Sequence, residues 1–209
     1  MNRRTALKNL SMSLGYTVAA PTIFNMLSSC NAETNKWSPL FLSLDEKYIV
    51  THLADIIIPV SGTPGALDVN VPQFLDMMYH DIEIKTNQDV FKQGASVFAK
   101  KFKSKFDSEV IKGKKEQFET LLASYFKISD HATEVILAEQ KLPIEKITDI
   151  QMDNYVLYQF LLSVKKYTLF GYFTSEKVGE EVTNYDPVPG TQIGCMPIED
   201  LPNGRVWSL

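Results

Sequence analysis

Histidine and cysteine are scarce in this 209-residue chain, which has three of the first and two of the second. His52, His80 and His131 fall in separate predicted helices, without HxxxH or HExxH spacing. Structural zinc and iron–sulfur centres need clustered Cys or His, so none is expected. No CxxCH run offers a haem attachment site. GxGxxG and GxxxxGK[ST] are also missing, which removes the dinucleotide and P-loop readings. Ser175, in "GYFTSE", does not sit in a GxSxG nucleophile elbow. His80 with Asp81 and Glu83 is the nearest approach to a metal set, and a weak one. The chain is therefore expected to hold no catalytic, cofactor-binding or metal-ligating residues and to be inert alone.

Acid is missing from the start of the chain: the first acidic residue is Glu33. Arg3, Arg4 and Lys8 form a basic head with a twin arginine. A modest apolar stretch follows to Leu27, interrupted by Ser11, Ser13, Thr17, Pro21, Thr22 and Asn25. A basic head, a short apolar stretch and a small-residue site describe an export signal. A spanning helix wants about 20 predominantly apolar residues, so permanent insertion is disfavoured here. The twin arginine points to the Tat route, which carries folded cargo. "LSSC", ending at Cys30, resembles a bacterial lipobox, in which the cysteine is acylated and becomes the first residue of the mature chain. Polar "NAETNKWS" follows it as a tether. Residues 1–29 are thus expected to be a Tat-type lipoprotein signal and 30–42 a tether. The mature protein would then sit in the periplasm or cell envelope, anchored to a membrane by lipid.

Removal of residues 1–29 leaves 180 residues and takes the net charge from −4 to −7. That length suits one domain, and that charge disfavours nucleic acid, which attracts a basic face. Acylation of Cys30 would leave Cys195 as the only thiol of an exported chain, with no internal partner.

Apolar spacing predicts a mainly α fold: a single helical domain of five to six helices over residues 43–209, with a long irregular C-terminal tail. Ser43 and Glu46 form a capping box for "LDEKYIVTHLADIII". Pro72 opens "PQFLDMMYHDI". A third helix begins near Asn87 with Phe91, Ala95, Phe98 and Phe102 on one side and Lys100, Lys101, Lys103 and Lys105 on the other. A fourth covers 114–126, and Ser129 or Asp130 caps a fifth. The longest runs over 149–170. After Gly171 the chain carries four prolines and four more glycines with little periodicity. A loop of that length is uncommon and usually functional or partner-held. Its apolar groups include Tyr172, Phe173 and Trp207, the kind enriched at interface anchors. Either this tail wraps its own helices or it docks another protein.

The layout resembles gluconate 2-dehydrogenase subunit 3, the small subunit of membrane-associated FAD-dependent sugar and sugar-acid dehydrogenases. The stretches that carry the resemblance are the twin-arginine signal, "LADIIIPVSGTPGALDVNVPQFLD", "LFGYFTSEKVG", "YDPVPG" and "GRVWSL". The resemblance implies a non-catalytic subunit with no cofactor of its own. FAD would lie on a large partner of the glucose–methanol–choline (GMC) oxidoreductase type, and haem on a possible cytochrome c subunit. The small subunit would supply the export signal for its folded partner. Gly171, Tyr172, Phe173, Thr174, Cys195 and Trp207 are the expected partner interface, with Cys195 paired to a partner cysteine or close to the contact. The alternative is a stand-alone lipid-anchored envelope protein that binds a small ligand.

Overall fold

The computed structural model describes residues 37–186, 188, 190, 195 and 197–208. Arg3, Arg4 and Cys30 lie outside the described residues. Chain contacts divide the protein into Met1–Ser38 and Pro39–Leu209, and the helices below all belong to the second unit.

Helix α1, Leu44–Ile57, starts where the sequence places its capping box. Ser43 Oγ accepts from the Glu46 amide at 3.3 Å, and Glu46 Oε2 accepts from the Ser43 amide at 2.7 Å. A short 3-10 turn, Leu67–Val69, leads into α2, Val71–Met77, with Pro72 in its first turn. The chain then widens into a π turn, Met78–Ile82. Helix α3 is Lys85–Phe106, α4 is Lys115–Phe126 and α5 is Asp130–Glu139, capped by Ser129. Helix α6, Asp149–Phe173, is the longest at 25 residues. The last, α7, is Glu176–Glu181. That makes seven helices among the described residues. The addition to the six read from periodicity is α7, inside the stretch taken as irregular. At six residues, it is too short to show a 3.6-residue repeat.

The core forms where α3 crosses α6. The predicted Phe91, Phe98 and Phe102 are fully buried, and so is Phe160 on α6. Phe91 meets Phe160 edge-on with centroids 4.9 Å apart. The crossing is close because of Gly94: a Cβ there would lie 2.2 Å from the Val156 carbonyl oxygen and 2.5 Å from Phe160 Cβ. Backbone cannot retreat from such a clash locally, so the helices must separate. Gly94→Ala is expected to cost about 1–3 kcal/mol, the overpacking range, despite alanine's better helix propensity. Gly62→Ala, with nothing within 4 Å of its new methyl, is the control and should leave the urea midpoint nearly unchanged.

The structure revises two boundaries. Gly171, Tyr172 and Phe173 are the last turn of α6 rather than the start of a tail. Residues 39–42 are not tether. Asp76, on α2 and 1% exposed, accepts the amides of Leu40, Phe41 and Leu42 at 2.7, 3.0 and 2.8 Å. Phe41 stacks on Tyr79 at 5.2 Å, and Lys92 donates to the Phe41 carbonyl and to Glu46. The domain therefore begins before its first helix.

Candidate functional site

The C-terminal end of α6 combines buried anchors with exposed aromatics. Tyr172 is 4% exposed and donates its hydroxyl to the Pro64 carbonyl at 2.8 Å. It packs with Ala54, Ala66, Val71 and Val178 in a small core that ties α1, α2, α6 and α7 together. Gly171 abuts Phe74 of α2; a Cβ there would stand 2.6 Å from that ring. These two expected interface residues are therefore spent on the chain's own packing.

Their neighbours face outward. Phe170 is 47% exposed and Phe173 40%, and they stand one turn apart, with half-exposed Leu169 beside them. Phe170 leans edge-on against Phe74 at 5.7 Å, so its base is held while its tip is free. Thr174, also exposed, closes the helix by bonding its hydroxyl to the Phe170 carbonyl at 2.7 Å. Periodicity missed Phe170 as an exposed group, because α6 is apolar on nearly every side and inward and outward aromatics look alike in sequence.

The end of the chain returns to this corner. Asn184 donates to the Val206 carbonyl and accepts from the Ser208 amide, both at 2.8 Å, in an isolated parallel bridge with Trp207. Arg205 reaches the Glu181 carbonyl at 2.8 Å. The returning segment leaves Trp207 49% exposed and Tyr185 more so. A cleft of about 320 Å³ opens between Tyr185 and the end of α6, bounded by Phe173, Glu176, Glu180, Tyr185 and Ser208. Exposed aromatics beside the carboxylates of Glu176 and Glu180 are a surface composition that suits a partner with an apolar centre and basic groups near it. Cys195 is an exposed free thiol, so it does not pack on the chain's own helices.

The remaining candidates do not assemble. His80 Nδ1 bonds Asp81 at 2.6 Å, while Glu83 is engaged elsewhere, accepting from the Tyr167 hydroxyl and from Asn87 at 2.6 Å. Among the described residues no group of three or more His, Cys, Asp and Glu is placed to hold a metal ion. His52 bonds the Tyr48 carbonyl at 2.9 Å and stacks on Phe118, and His131 is exposed at the start of α5. Burial pushes the Tyr79 phenol up to about 12, and burial with the Glu83 carboxylate raises Tyr167 also. Both stay protonated near neutral pH, when a general base must be free to ionise. Lys100, Lys101, Lys103 and Lys105 on α3 form a solvated face, where Lys103 pairs with Glu109.

The described residues thus form a helical domain with an exposed aromatic corner and dispersed titratable groups. The chain belongs to the gluconate 2-dehydrogenase subunit 3 family, whose profile matches residues 44–190. The match spans α1 to α7, including Phe170 and Phe173; Cys195 and Trp207 lie past its end. No significant match occurs among curated proteins or solved structures.

Proposed function

We propose that this chain is the non-catalytic small subunit of a membrane-associated sugar or gluconate dehydrogenase complex. Its partner is a larger subunit, an FAD-dependent GMC-type enzyme that performs the acceptor-dependent oxidation. The family carries the general role, and the exposed aromatic corner at the end of α6 is the observation that supports docking there. FAD belongs to the partner, and a cytochrome c is the further subunit to seek. The proposed location is the periplasmic side of the envelope, with a lipid on Cys30 keeping the pair near its electron acceptor. The substrate is set by the partner's pocket.

Arg3 and Arg4 carry the export half of this reading. Replacing both by Lys preserves charge but removes the twin-arginine signal. The double variant should leave this chain and the partner's dye-linked dehydrogenase activity in the cytoplasmic fraction, whereas the wild type places both in the envelope. Normal export of the variant overturns the Tat route. Cys30→Ala should instead release an exported protein from the membrane; an unmodified wild-type N-terminus by mass spectrometry rules out the anchor.

Cys195 offers a covalent readout. An exposed thiol in an oxidising compartment with no partner of its own is open to intersubunit pairing. Non-reducing electrophoresis of the native complex should give a band at the summed mass, lost with reductant and in Cys195→Ser. Separate subunits only, with Cys195 readily alkylated in the folded complex, would contradict both pairing and burial at the contact.

A further inference from the structure

Clefts of ligand size on the described residues differ in chemistry, as three of them show. One, of about 370 Å³ between α3 and α6, is lined by polar groups such as Glu83 and Asn87 that already satisfy each other. The second belongs to the docking corner. The third, of about 410 Å³, lies where α1, α4 and α6 converge and is almost wholly apolar. Leu53 and Leu161 form its floor, and Ile57, Leu122, Ala123 and Phe126 its walls. Ligand sites commonly measure roughly 300–1,000 Å³ and combine an apolar lining with a few placed polar groups.

The polar groups here are arranged by sign. Both lysines of the lining are tied to Phe126: Lys127 follows it in the chain, and the Lys165 ammonium lies 5.9 Å from its ring centroid. Neither lysine has a carboxylate partner among the described residues. Glu119 lines the groove from the second turn of α4, eight residues or about 12 Å from Lys127 along the helix. The groove is thus an apolar trough with a cationic mouth and an acidic far end. That asymmetry selects an elongated ligand with one anionic terminus and orients it.

We infer that the groove binds a single-chain anionic amphiphile, a fatty-acid carboxylate. Its head sits between Lys127 and Lys165, and its alkyl chain lies along Leu122 and Ala123. This stands apart from the subunit role and survives or fails without it. Chain burial supplies most of the affinity. The two lysines are solvent-exposed and contribute modestly, so they set head-group preference.

Calorimetric titration of the full chain with monomeric dodecanoate, below its micellar concentration, tests this. Saturable binding at one site is expected, with dodecanol about tenfold weaker. Lys127→Gln with Lys165→Gln should bring the two ligands within about twofold. Ala123→Trp, which fills the trough, should abolish binding with the helical spectrum retained. No saturable binding, or equal affinity of the wild type for acid and alcohol, overturns the inference. A photoreactive fatty acid on the wild-type chain gives a readout that needs no variant: label should map to α4 and α6, and label elsewhere contradicts it. Two other occupants are also decided. Binding to phosphatidylglycerol vesicles but not to monomeric dodecanoate would place a membrane surface there. Self-association abolished by Ala123→Trp would place a second copy there. Either outcome overturns the fatty-acid assignment.

Discussion

Phe170→Glu combined with Phe173→Glu is expected to release the chain from its larger dehydrogenase subunit, weakening association by about 100-fold or more. Aromatic anchors at the centre of an interface typically contribute 2 kcal/mol or more each when truncated. Here each also becomes a carboxylate that association must desolvate, at a corner already carrying Glu176 and Glu180. The fold should tolerate the change, because both side chains are about half exposed and surface substitutions usually shift stability by under about 0.5 kcal/mol. The lean of Phe170 on Phe74 is the contact at risk, so the melting temperature of the free variant is measured beside binding. Lys101→Glu, on the solvated face of α3, reverses a charge away from this corner and should bind as wild type. Unchanged association of the double variant would move the docking surface elsewhere on the domain.

Asp76→Ala is expected to be the most destabilising change outside the core crossing, at about 3 kcal/mol. One carboxylate accepts three successive backbone amides. Leaving a buried amide unsatisfied costs about 1–3 kcal/mol, and hydrogen bonds to charged groups are the stronger kind. The loss is capped because residues 39–42 can peel off and let water reach the amides of Leu40 and Phe41, which are only partly buried. Peeling forfeits the Phe41 stacking on Tyr79 and the Lys92 contacts. Two readouts separate the routes. Urea denaturation gives the total. Amide exchange at Leu40, Phe41 and Leu42 should speed up in Asp76→Ala before the core amides do. If exchange there is already fast in the wild type, these residues are tether after all.

The helices were legible where local chemistry declares itself. The Ser43–Glu46 box, Pro72 and the phenylalanine spacing on α3 are signals within a few residues of one another. The docking of Leu40, Phe41 and Leu42 was not legible, because three residues carry no period and their partner Asp76 is more than thirty positions away. Gly171 misled for a related reason. Glycine often marks a helix end, yet here its missing side chain admits Phe74, and the helix continues to Phe173. The stretch around Gly171 was legible as important, but its division of labour was not: Tyr172 faces in and Phe173 faces out, a distinction made only by what α2 and α7 cover. The apolar trough was hidden too, since Ile57, Leu122 and Phe126 sit at ordinary core spacing and only the convergence of three helices leaves them uncovered.

The central claim is that this chain exists to bind a larger flavoenzyme. It is tested most directly by isolating the full-length chain, carrying a C-terminal tag, from detergent-solubilised membranes of its own cells. Native mass spectrometry and a flavin absorption spectrum are then taken on the product. The expected result is a stoichiometric complex with a large FAD-containing dehydrogenase, whose dye-linked activity co-elutes and disappears from membranes when the gene for this chain is deleted. A flavin-free, partner-free monomer, together with full membrane dehydrogenase activity in the deletion strain, would contradict it.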